Sequence, residues 1–213
     1  GNNKTENEIR FALKSKVGKF VVDNLYELEL LNKIAGEMNV KADISFRIKP
    51  GVDAHTHNFI RTGQIDSKFG FALETGEAFE AVKEALKLDN VCLKELHCHI
   101  GSQIFDIEPF VTAAEIMIDF MAKIKSELGA VISELNLGGG FGIMYTSDDE
   151  PVPYENYMDK VSVAVKAKCA EHGLPVPFIY IEPGRSVVGE AGITLYTVDE
   201  KKKIPNVRTY VSI

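Results

Sequence analysis

Three short stretches of this chain carry residue types that could do chemistry together. The first is Leu135-Asn136-Leu137-Gly138-Gly139-Gly140-Phe141-Gly142, an apolar strand pattern running into three consecutive glycines. Bare backbone amides let an anion approach closely, most often a phosphate. The second is His97-Cys98-His99-Ile100-Gly101-Ser102-Gln103, and the third is Glu182-Pro183-Gly184-Arg185. Arg185 offers a charged fork matched to phosphate or carboxylate, and Ser102 a hydroxyl donor for the same anion. Glu182 lies between an apolar run and a proline, so it is expected to be partly desolvated and to need a cationic partner. Arg185 could be that partner in a plain ion pair. A protonated ring nitrogen on a ligand would satisfy the same need.

His97 and His99 are two apart on a strand pattern and therefore face the same way. With His55-Thr56-His57 they open a different reading, a metal-dependent hydrolase barrel, but His172 is the one histidine left to complete a ligand set. A flat imidazole at a strand end can instead stack on a planar cofactor. Phosphate, ring nitrogen and planar face together describe pyridoxal 5′-phosphate.

Regular elements must bring the three stretches together. Ile9, Leu13 and Val17 have helical spacing, with Thr5 and Glu8 placed as a capping box. Phe20–Asp23 reads as a strand, and Leu25, Leu28, Leu31, Ala35 and Met38 as an amphipathic helix. Asp43–Ile48 is the next strand, closed by Pro50-Gly51. A long polar loop over 52–71 leads to a helix near 77–86 and a strand over 93–99. Phe110, Ala113, Met117, Met121 and Ile124 mark a helix before the strand Ser133–Leu137. Met158, Val161, Val165 and Cys169 mark another, which Gly173 and Pro175 end. Phe178–Glu182 is a strand. Beyond it, the alternation at Ile193, Leu195 and Thr197 suggests a further strand, and 207–213 one more, with no helix between them.

Strands alternating with helices imply an α/β fold with right-handed βαβ units and a parallel sheet. The chemistry sits past the C-terminal ends of three of the five parallel strands. That is where ligands bind in a (β/α)8 TIM barrel, whereas a doubly wound sheet would call for a G-x-G-x-x-G at the first strand. The expectation is a partial barrel over residues 1–190, about five of the eight βα units of that fold. Residues 191–213 would begin a C-terminal β domain. Gly1-Asn2-Asn3-Lys4-Thr5 reads as a loop entering a helix and 207–213 stops inside a strand pattern, as expected of a central segment.

Composition narrows the partners. The 213 residues are 45% hydrophobic, enough for a substantial core, and carry a net charge of −7. That balance argues against nucleic acid or an anionic membrane as partner. Three cysteines with no C-x-x-C pair suit a reduced, cytoplasmic compartment. No apolar run is long enough to span a bilayer.

The motifs HCHIGSQ at 97–103, LNLGGGFGI at 135–143 and EPGRSVVGEAG at 182–192 resemble those of the diaminopimelate decarboxylase family. These are fold-type III pyridoxal-phosphate enzymes with a (β/α)8 barrel and a C-terminal β domain. The opening GNNKT, the stretch Asp66-Ser67-Lys68-Phe69-Gly70-Phe71 and Tyr210-Val211-Ser212-Ile213 extend the resemblance over the whole chain. It implies decarboxylation of meso-2,6-diaminopimelate to L-lysine by a homodimer. Related ornithine, arginine or carboxynorspermidine decarboxylases, and a non-catalytic barrel that binds the cofactor, are the alternatives.

Carried over by position, the resemblance implies that His99 stacks on the cofactor ring, and that Ser102, Gly138, Gly139 and Gly140 cradle its phosphate. Glu182 would pair with the pyridinium nitrogen. Pro183, Gly184 and Arg185 would complete the phosphate edge, and Arg185 would also meet a substrate carboxylate. Arg47 and Lys68 would lie near the cofactor. Two features of the family are missing from these residues: its Schiff-base lysine, which Ala-Asn follows, and the Cys and Tyr of its C-terminal domain. The segment by itself is accordingly expected to be inactive, and no metal is expected.

Overall fold

In the computed structural model, residues 1–52 and 68–213 are described. Among them, α1 (Glu6–Lys14), β1 (Phe20–Val22), α2 (Leu25–Glu37) and β2 (Ala42–Lys49) come first. β3 (Phe71–Ala72), α3 (Glu77–Ala85), β4 (Val91–Cys98), α4 (Glu108–Leu128) and β5 (Glu134–Asn136) follow. The chain continues through α5 (Tyr154–Glu171), β6 (Phe178–Tyr180), the one-turn α6 (Arg185–Val188) and the hairpin β7 (Lys201–Ile204) and β8 (Arg208–Val211). The capping box forms as expected, with the Glu8 amide donating to Thr5 Oγ1 and the Thr5 amide to Glu8 Oε2.

The main sheet is parallel, in the order β1-β2-β4-β5-β6, with β3 added beside the end of β2. The two-residue β3 lies at the end of the stretch expected to be loop. A second difference concerns Ile193, Leu195 and Thr197, which form no strand. Ile193 and Leu195 are 87% and 86% exposed, so their alternation has no partner surface to act on. The hairpin instead forms further on, β7 pairing antiparallel with β8.

Register explains the two faces of the sheet. One cross-strand row is Val22, Phe46, Leu96, Leu135 and Ile179, all apolar and facing the helices. The row before it holds Val21, Ser45, Glu95, Glu134 and Phe178, and the row after it Arg47, His97, Asn136 and Tyr180. Successive residues of a strand alternate faces, so these two polar rows share the opposite, inner face. A bulge sets this phase on β4: Ile44 pairs with Leu93 but Ser45 with Glu95, and Lys94 is left over.

The sheet curls around that inner face. Four strand spacings separate β1 from β6, about 19 Å on a flat sheet. Even so, Lys19 Nζ, just before β1, sits 4.4 Å from the centre of the Tyr180 ring on β6. It also pairs with Glu95 on β4 at 2.6 Å and with Glu134 on β5. Outside, α1 packs on α2, α3 on α4 and α4 on α5, a layer of consecutive helices. This is part of a (β/α)8-type barrel.

Candidate functional site

The loops that follow β4 and β5 are zipped together beyond the sheet. Ile104 N donates to Gly140 O and Gly142 N to Ile104 O, both at 2.9 Å. Gln103 adds a further rung with its side chain, donating from Nε2 to Ile143 O at 2.6 Å and accepting from Ile143 N at 3.1 Å. An aromatic platform supports both loops: Phe110 stacks on Phe141, Tyr157 packs edge-on against each, and its hydroxyl donates to Ile104 O. On this base, Arg185 Nη2 donates to Ser102 Oγ at 3.0 Å. Arg185 makes no carboxylate contact among the described residues, so its charge is not neutralised by an acidic neighbour there.

The glycines do two jobs. The Gly138 amide donates to Asn136 Oδ1 at 2.9 Å and the Gly139 amide to His99 Nδ1 at 3.3 Å. Two of the three amides expected to meet an anion are therefore used within the chain. The Gly140 amide has no partner among the described residues. A Cβ on Gly139 would lie 2.1 Å from the Glu182 carbonyl oxygen, and one on Gly140 2.2 Å from that of Gly101. Bare backbone here lets three loops pack together as well as leaving one amide open.

Glu182 is not paired with Arg185. Its Oε2 accepts from His97 Nε2 at 3.3 Å and its Oε1 from Asn136 Nδ2 at 3.1 Å. The His97 hydrogen bond, with Asn136 adding to it, overcomes partial burial and brings the carboxyl down to about 2. The side chain remains 50% exposed, so an ionised carboxylate faces open space. Burial, reinforced by Arg47 and His97, holds the His99 imidazole down to about 4, which keeps it neutral.

Val21, Asp23, Arg47, His97 and Glu182 line a cavity of about 180 Å3. Arg47 lies 4.2 Å from the Phe69 ring centre, and burial lowers its pKa despite Asp23 and Glu182. Lys68 sits over the other partner of that contact, Phe69, and does not line the cavity. Pro183 and Gly184 form the turn into α6. His55 and His57 lie outside the described residues, and among those described no three His, Cys, Asp or Glu side chains gather as metal ligands. Asn136 and Asp23 went unnoticed as site residues in the sequence. Asn136 could have been found from its spacing of two after Glu134, which puts it on the inner row.

Residues 1–189 match the family described as pyridoxal-dependent decarboxylase, pyridoxal binding domain. The diaminopimelate decarboxylase of Bacillus subtilis is 48% identical over all 213 residues, and that of Halalkalibacterium halodurans 51%. The chain spans about half the length of these curated relatives, 48% of each. The crystal structure of the M. jannaschii diaminopimelate decarboxylase in complex with L-lysine superposes with a TM-score of 0.83 at 38% identity. That match covers 99% of this chain and 48% of the other.

Proposed function

The chain belongs to the pyridoxal-binding domain family of pyridoxal-dependent decarboxylases, and on that premise we propose that the whole protein decarboxylates meso-2,6-diaminopimelate to L-lysine. One observation carries the reading. Arg185 and Ser102, hydrogen-bonded to each other, and the open Gly140 amide offer donors to an anion at the strand ends, where Glu182 is an ionised carboxylate that pairs with no Lys or Arg among the described residues. A phosphorylated pyridine asks for these two ends, so the residues fit the family's cofactor, pyridoxal 5′-phosphate.

In this reading Ser102, Gly140 and Arg185 hold the phosphate. Gly138 and Gly139 keep the loops close enough for them to converge, and Pro183 and Gly184 lead into the helix that carries Arg185. His99, neutral and tied to the Gly139 amide, presents an uncharged flat face to the ring. A charged imidazolium there would repel a protonated ring nitrogen. Glu182 accepts that nitrogen's proton as a hydrogen bond and stabilises its positive charge. Bound, the cofactor supplies an electron sink for the carbon left when CO2 departs. Arg185 would also meet a substrate carboxylate, a match of fork to acceptor pair. Residues 191–213 are assigned to the start of a separate β domain, in keeping with the exposed hairpin and the family match ending at 189. The whole protein is placed in the cytoplasm as a homodimer with a small amino-acid substrate.

The test is made on the full-length protein. It should take up pyridoxal phosphate with an absorbance band near the visible edge that borohydride abolishes. It should also release CO2 from meso-diaminopimelate far faster than from ornithine. Preference for ornithine would overturn the substrate, and failure to take up the cofactor would overturn the whole reading.

A further inference from the structure

We propose that Asn136 and His97 are positioning residues that aim Glu182 and keep it ionised, and that Asn136 ties this carboxylate to the glycine loop as one unit. The proposal rests on the reading of Glu182 as the partner of a ring nitrogen, and it extends that reading to residues with no assigned role.

The amide of Asn136 has its polarity fixed from one side. Its Oδ1 accepts from Gly138 N at 2.9 Å, so its Nδ2 must point the other way, toward Glu182 Oε1 at 3.1 Å. Turning the amide over would bring donor against donor at Gly138 and oxygen against oxygen at Glu182. A single side chain thereby sets the placement of the glycine loop relative to the carboxylate. His97 occupies the neighbouring place in the same inner row. Its side chain is 5% exposed, and Nε2 reaches Glu182 Oε2 while the buried Nδ1 has no hydrogen-bond partner among the described residues. The one polar contact this ring makes there is to Glu182.

The choice of donor matters. An arginine paired with Glu182 would cancel the charge a cationic guest needs, whereas the Asn136 amide orients the carboxylate and leaves its charge in place. The chain has cations nearby and turns them elsewhere. Arg185, three residues on, bonds Ser102, and Arg47 lies against Phe69. The other titratable groups around Glu182 are Asp23 after β1, Arg47 on β2, Cys98 on β4 and His99 just past it. Among these, Asp23 would push the carboxyl upward and Arg47 downward, and both stay unchanged in the variants below.

The measurement is the titration of the Glu182 carboxylate by 13C NMR. It uses the cofactor-free full-length protein with labelled glutamate, the signal being assigned by its loss in Glu182→Gln. The wild type should show no titration of this group above pH ~4, while His97→Leu and Asn136→Leu should each raise its midpoint toward about 4.3, the ordinary glutamate value. His97→Gln, which keeps a donor at this place, should bring the midpoint back below that of His97→Leu. Asn136→Leu removes the donor to Glu182 without adding a charge beside it. An unchanged midpoint in His97→Leu and Asn136→Leu would overturn the proposal. Because this readout needs no cofactor, a wild type that binds no pyridoxal phosphate would count against the functional reading and leave this result standing.

Discussion

His99 is the residue whose protonation the fold most plainly controls. Burial, then Arg47 and His97, hold its imidazole down to about 4, against 6.5 for a free one. Between those values the unfolded chain binds a proton that the native chain does not, so stability falls as pH drops from about 6.5 toward 4. The loss is at most about 3 kcal/mol. Replacing His99 by Phe, which keeps a flat ring and removes the titration, should flatten this part of the profile in urea unfolding at pH 7, 6 and 5. Glu182 acts in a separate window. Its lowered value means that its contribution is present above about 4.5 and is lost as pH falls toward about 2. His99, Ser102, Glu182 and Arg185 could each be picked out in the sequence by residue type and position at a strand end. Their partners could not, since a hydrogen bond from Arg185 to Ser102 joins residues 83 apart in the chain.

At the level of elements, three loops at the C-terminal ends of β4, β5 and β6 are packed backbone to backbone. Glu182 N donates to Gly138 O at 2.8 Å, and Gly139 faces the Glu182 carbonyl with no room for a side chain. Gly139→Ala must therefore displace the loop that carries both Glu182 and Arg185. Overpacking of this kind costs about 1–3 kcal/mol. A calorimetric scan should show that loss as a lower Tm, together with weaker uptake of pyridoxal phosphate. Gly192→Ala, where an added Cβ meets nothing within 4 Å, is the matched control and should leave the Tm unchanged. A run of three glycines signals a tight turn or an anion site in any sequence. Gly138 spends its amide locally on Asn136, two residues back, but that Gly139 spends its amide on His99 depends on two neighbouring strands being in place.

Over the whole molecule, the inner face is held by charge where the outer face is held by apolar contact. Lys19 joins Glu95 and Glu134 across the concave side and covers Tyr180, so one ammonium spans most of the arc of the sheet. Glu95 is almost fully buried, whereas Lys19 and Glu134 are about one-fifth exposed. Lys19→Met would leave two neighbouring carboxylates without a cation, at a cost of about 2–4 kcal/mol at pH 7, below the full penalty for a dry pair. Chemical denaturation of the wild type and the variant at pH 7 should show that deficit. The order of helices and parallel strands, and the placing of the reactive residues at strand ends, followed from the sequence alone. Apolar spacing and glycine–proline punctuation are local properties that the chain carries wherever it is folded. Tertiary structure alone decided the phase of β4, where the leftover Lys94 turns Glu95 and His97 inward. It also decided that Glu182 bonds to His97 and Asn136 rather than to Arg185, and that the alternation at Ile193 and Leu195 makes no strand. Each of these depends on which surface lies opposite, and only the curled sheet brings those surfaces together.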